Sequence, residues 1–514
     1  MTNSQERVPL EKFKRAAKTL KAGYEAGDLD ARMRIKTYLA AAKGDLKHAD
    51  FLHVIAQENT FVSWPAMKDA IETIGLDRAT KLQRLKIALY HGRTGRVQRL
   101  IEATPDLARG HFGLLCALLD SDAVWTMLGD DPALATTQAG PELPLVHLCK
   151  SRMFTVWDDK APLSVAIANM LVTNGADVNV GSVENNEPLS PLFWALGHAG
   201  NMPLAQWLLE NGANPNDGES LYHATEIGHA DGLRLLLSHG ATPTGTNALP
   251  RAMDFDNAEM VGLLLIAGAD PNEGSDDWAK ETGGKRGVPT LHHAAYRMST
   301  APVIDLLLQH GADPAATLNG VSAYSYARVF GNSELASKIE GLGLQTPLND
   351  LEAKLAAAAT GVVPDGYIDT AKLPEAYRYI IHEILHLPNK LAHLKALVAI
   401  GFEWDMPNKQ GVTPVQLAGW NGLPDVMEYF LKLAPNLGHV NGYGGTLLST
   451  ILHGSENAAN RDRADHLSCL RMALEHGVAL PKRVIEFAGR DDMRDLMVQW
   501  AKDKPGQVVE HGIA

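Results

Sequence analysis

The pattern with the most specific chemistry is HEILH, residues 382–386. It fits H-E-x-x-H. On a helix, residues i and i+4 share a face. His382 and His386 would then offer two imidazoles to one Zn²⁺ while Glu383 acts as general base on a bound water. A hydrolase of that kind needs a third ligand. His393 lies seven residues beyond His386 and Glu403 seventeen beyond it, and neither matches the longer pattern H-E-x-x-H-x-x-G-x-x-H. Pro388 ends a helix directly afterwards.

Other groups carry weaker signals. The chain has 20 histidines, some of them clustered, as at His292–His293. A structural or surface role is the ordinary one for each. The carboxylate pairs Asp276–Asp277 and Asp491–Asp492 mark solvated loops or helix starts. GGKRG (283–287) is basic and Gly-rich, but it follows no strand and opens no helix, so it reads as a flexible loop. The patterns G-x-x-x-x-G-K-[ST] and G-x-S-x-G do not occur. No cofactor is expected.

These residues must be positioned by a chain of 514 residues, 45% apolar and 21% charged. That length exceeds one compact domain, so several domains or an elongated array are needed. Lys+Arg number 47 and Asp+Glu 60, a net charge of −13. Nucleic-acid binding wants a positive footprint and is not expected, although a local basic patch is compatible with these totals. Cys116, Cys149 and Cys469 are far apart and odd in number. They read as reduced thiols in a cytoplasmic protein rather than a disulfide framework. The first residues lack the apolar core of a signal peptide, and no run of 18 apolar residues exists to span a membrane.

Internal repeats organise the middle of the chain. One phrase recurs as LVTNGADVN ending at Asn179, LLENGANPN at Asn216, LLSHGATPT at Thr244, LLIAGADPN at Asn272 and LLQHGADPA at Ala315. Another recurs as SPLFWAL from Ser190, SLYHAT from Ser220, TLHHAAY from Thr290 and TPVQLAG from Thr413. Ala224, Ala252, Ala294, Ala295 and Ala418 are small where two helices pack closely. The triplets Leu235–Leu237, Leu263–Leu265 and Leu306–Leu308 form the buried stripe of a second helix. Gly175, Gly212, Gly240, Gly268 and Gly311 sit where a left-handed helix C-cap is needed. Each unit alone leaves an apolar face open, so neighbours must stack.

These phrases resemble the ankyrin repeat, T-P-L-H-x-A-A-x-x-G followed by L-L-x-x-G-A-D-x-N. The resemblance implies an all-α solenoid of helix-turn-helix repeats. The segments are a helical N-terminal part (1–80), a first repeat block (81–348), a junction (349–379), a divergent second block with a C-terminal cap (380–505) and a frayed tail (506–514). The long excursions 151–164 and 273–287 project between repeats. In this register His382 takes the T-P-L-H histidine position. The repeat reading of HEILH therefore explains more residues than the zinc reading.

The resemblance also implies which residues meet a partner. First-helix positions facing the concave groove are His147, Lys150, Trp194, His223, Glu226, Arg251, Asp254, His293, Tyr296, Glu383, His386, Leu417 and Trp420. A large Trp there is either a partner anchor or covered by a neighbouring excursion. The implied function is non-catalytic protein–protein interaction by a bacterial scaffold, adaptor or inhibitor. The alternatives are a zinc-dependent hydrolase using His382 and His386, and an effector delivered to another cell. The partner is another protein, and the sequence does not determine the oligomeric state.

Overall fold

The computed structural model describes residues 10–39, 46–61, 63–73, 76–157, 160–184, 187–285, 287–458 and 460–510. The chain divides into two compact units, Met1–Ala241 and Thr242–Ala514. Both are all-α, apart from three short ladders of two strands each among the described residues.

The first unit opens with the helices Leu10–Glu25, Leu29–Tyr38, His48–Glu58 and Trp64–Thr73. Their apolar sides close on Leu20, Phe51, Val54, Ile55 and Met67. Antiparallel helix pairs follow, from Arg78–Tyr90 with Thr94–Ala103 to Ser220–Ala224 with Asp231–Ser238. The second unit continues the pairs, from Ala248–Asp254 with Ala258–Ile266 to Lys482–Phe487 with Asp491–Asp503. The alanines at the close-packing positions are fully buried, and so is the middle residue of each Leu triplet: Leu236, Leu264 and Leu307.

The repeated glycines all take positive φ, from +88° at Gly240 to +98° at Gly175. A Cβ there would strain the backbone, which is why Gly recurs. At Asn179 and Asn272 the residue that ends the G-A-D-x-N phrase stitches neighbouring repeats. Asn179 Nδ2 donates to Gly212 O at 3.0 Å, and its Oδ1 accepts from Asn214 N at 2.8 Å. Asn272 makes the same two bonds to Gly311 O and Asp313 N, at 2.9 and 2.8 Å. These side chains satisfy carbonyls that the helix ends leave open.

Three segments differ from expectation. The excursion 273–287 holds a helix, Asp276–Thr282, capped by Ser275. Asp276 Oδ2 accepts from Thr317 Oγ1 and Gly320 N, both at 2.9 Å, so the helix is anchored, while GGKRG (283–287), expected as a loop, follows its end. Arg286 of GGKRG lies outside the described residues. Residues 349–379, expected as a junction, lie inside the second unit. The helix Asp350–Ala359 packs on Ala323–Phe330 and Leu391–Ala399, and the buried Tyr377 hydroxyl donates to Glu352 Oε1 at 2.8 Å. The tail expected to fray is held as far as Glu510. Val508–Val509 pairs in parallel with Leu480–Pro481, and Gln507 Nε2 donates to Leu474 O and Val478 O. Residues 511–514 lie outside the described residues.

Candidate interaction surfaces

In the first unit, His147 and Lys150 extend from the helix Pro144–Cys149 and its end into a cleft of about 420 Å³. His147 Nε2 donates to Ala139 O at 2.8 Å, and burial lowers the pKa of its ring. Lys150 Nζ lies 2.5 Å from Glu142 Oε1 and 3.8 Å from the centre of the Trp194 ring. Trp194 was expected at a solvent-facing position, but it is buried. A hairpin, Ser182–Glu184 with Glu187–Leu189, precedes its helix, and the Trp194 indole donates to Ser182 Oγ at 2.9 Å. This hairpin contributes to the cover. His223 is half-buried, its Nδ1 is 2.7 Å from Glu226 Oε2, and Glu226 is exposed.

In the second unit the structure brings Arg251, Asp254, His293 and Tyr296 into one network. Asp254 is the hub. Its Oδ2 accepts from Arg251 at 3.0 Å, and its Oδ1 accepts from His293 Nε2 at 2.9 Å. Arg297 Nε pairs with the same Oδ1 at 2.9 Å. The Tyr296 hydroxyl donates to His293 Nδ1 at 2.8 Å. His293 was expected on an exposed face, yet it is 5% exposed, because Asp254 and Arg297 close over it. Burial raises the carboxyl pKa of Asp254, but the His293 hydrogen bond and the charges of Arg297 and His293 outweigh this and hold it at about 2.

The chain Tyr296–His293–Asp254 has the order of a nucleophile–base–acid relay. The electrostatics oppose that use. Burial pushes the Tyr296 phenol up rather than down, and Arg297 neutralises the carboxylate. The network therefore locks two first helices together. Arg297 was missed in the sequence, although its i+4 spacing from His293 was the available signal.

HEILH adjoins this network. The helix Ile380–Ile384 ends before His386. His382 Nε2 donates to Val412 O at 3.1 Å, as His292 Nε2 does to Val321 O at 3.0 Å. His386 Nε2 faces the Arg297 guanidinium at 3.4 Å. Burial lowers the pKa of both rings to about 4, and Arg297 adds to this at His386. Among the described residues no group of three His, Cys, Asp or Glu side chains is placed to hold a metal ion. Burial also raises the carboxyl pKa of Glu383.

Trp420 and Leu417 line a second cleft of about 950 Å³, with Tyr443, Leu452, His453 and Val484. The Trp420 and His453 rings lie 5.3 Å apart, and Tyr443 is 78% exposed. Tyr443 and Val484 come from later repeats, and only tertiary packing brings them beside Trp420.

Residues 160–247 and 192–275 each match the family model described as ankyrin repeats (3 copies). No curated protein matches the chain. Among solved structures, the human ASB11 ankyrin repeat domain is 23% identical at a TM-score of 0.35, covering 47% of this chain and 100% of that one. The ankyrin repeat domain of Bcl-3 is 19% identical at a TM-score of 0.35, covering 45% of this chain and 98% of that one. Among the described residues no helix is long and apolar enough to cross a membrane.

Proposed function

We propose that this chain, which carries ankyrin repeats over residues 160–275, is a non-catalytic scaffold, adaptor or inhibitor of the cytoplasm. Ankyrin repeats indicate a protein–protein interaction module. Cys116, Cys149 and Cys469 are free and buried, which suits a reducing compartment. The partner is another protein, held on first-helix faces and loop tips. One observation carries the reading. The first-helix residues Leu417 and Trp420 open into a large cleft with an exposed Tyr443 at its wall. Trp and Tyr in a concave site are the residue types that dominate binding energy.

The experiment is affinity purification of the wild type beside a Trp420→Ala, Tyr443→Ala double variant, with mass spectrometry of what each retains. A partner kept by the wild type and lost by the folded variant supports the reading. Retention by both refutes this placement. Trp194 and Tyr296 are unsuitable for the test, because both are tied into the fold. Metal content of the same sample checks the rival. Stoichiometric zinc lost on His386→Ala would favour a hydrolase.

A further inference from the structure

The charge is distributed unevenly along the chain. Residues 1–109 hold 20 Lys and Arg against 13 Asp and Glu, whereas residues 110–514 hold 27 against 47. The helix pair Arg78–Tyr90 and Thr94–Ala103 is the extreme. Residues 78–103 carry seven Lys and Arg and one carboxylate, Glu102.

This pair borders the 420 Å³ cleft of the first unit through Lys86, Leu89 and Tyr90. Phe112, Leu114 and Leu134 supply apolar lining. Among the described residues Glu142 is the one carboxylate lining the cleft, and its Oε1 lies 2.5 Å from Lys150 Nζ. Lys86 and Arg93 are exposed, and no described residue pairs with either. The Arg152 guanidinium packs 3.2 Å from where a Gly92 Cβ would sit and donates to His198 O, adding positive charge beside Arg93. The cleft therefore has an apolar floor, a neutralised acid and the exposed Lys86 at its edge, and the helix pair that carries Lys86 also carries the exposed Arg93. The charged and polar groups facing it also include His111 and His147.

We infer that this cleft docks an acidic segment of the partner protein, anchored by one apolar side chain. The inference rests on the interaction reading above and supplies the partner's chemistry. Complementary charge around an apolar pocket steers encounter and sets register, while the buried anchor supplies affinity. A nucleic acid fits less well, because the rest of the first unit, residues 110–241, holds 4 Lys and Arg against 15 Asp and Glu and repels a polyanion that extends past the patch.

The test uses the full chain and fluorescence anisotropy. The probes are a fluorescein-labelled Glu/Leu peptide, its Lys/Leu counterpart and a single-stranded oligodeoxynucleotide. The Glu/Leu peptide should bind, weaken as salt rises, and lose affinity by about tenfold in a Lys86→Glu, Arg93→Glu double variant. Both positions are exposed, and circular dichroism checks that the variant folds. The inference is overturned if the wild type does not bind the Glu/Leu peptide, if the variant binds it equally, or if either other probe binds more tightly. It is also overturned if sedimentation shows a dimer of this chain that the double variant dissociates, since the occupant is then a second copy. Should the peptide fail while Trp420→Ala, Tyr443→Ala still releases a partner, the interaction reading stands and only this inference falls. If both fail, the interaction reading falls with it.

Discussion

Replacing Asp254 with Asn tests whether the second-unit network is held by charge or by shape. Asn keeps the size of the side chain and an oxygen to accept from His293 Nε2. It removes the negative charge that faces Arg251 and Arg297 at 3.0 and 2.9 Å. The Asp254 side chain is 18% exposed, so solvent screens these pairs little. Its carboxyl pKa falls from 3.8 to about 2 on folding. A fall of that size corresponds to about 2 kcal/mol of stability. Because the folded pKa is depressed, this stability is fully present above the unfolded value and is lost as pH falls from about 4 through about 2. Urea unfolding followed by circular dichroism should therefore show Asp254→Asn destabilised by about 2 kcal/mol at pH 7, and by nearly as much at pH 5. Amide exchange should rise first in Thr290–Arg297. A cost below about 0.5 kcal/mol would refute the reasoning, because the ion pairs would then behave like screened surface pairs.

Three further outcomes are expected. Asn332→Ala removes a helix cap to Leu335 N and two bonds to the buried carbonyls of Ala294 and Ser299, and should cost about 3 kcal/mol by urea titration. Gly311→Ala meets no atom within 4 Å but forces Ala to φ +90°, so a cost of about 1–2 kcal/mol by the same assay would come from the backbone alone. His292 and His382 are held neutral by burial, with pKa values of about 4. Their stabilisation is present above the unfolded value near 6.5 and is lost as pH falls towards 4, so the urea midpoint should drop between pH 7 and pH 5, by less in a His382→Asn background.

The repeat glycines, the alanines at close-packing positions and the Leu triplets were legible because each obeys a local rule. A C-cap needs φ > 0, a close helix approach needs a small side chain, and an amphipathic helix shows its period. The T-P-L-H position of His382 was legible for the same reason, and its ring bonds the Val412 carbonyl as that of His292 bonds Val321. Exposure was not legible. Trp194 and His293 sit at groove-facing positions by register, yet Trp194 is tied to the hairpin just before its helix, and His293 to Asp254 of the preceding repeat, which also pairs with Arg297. The HEILH spacing shows i, i+4 but not that the helix stops at Ile384 or that Arg297, 89 residues earlier, faces His386.

The sequence by itself determined the repeat, its caps and its core, because those depend on neighbours a few residues away. Only the tertiary structure decided which polar groups meet, which aromatic residues stay open and where clefts form. Trp420 lies beside Val484, and Lys86 beside Glu142, because stacked repeats bring distant residues to one wall. No local pattern encodes such a contact, since its free energy exists only after both repeats are in place.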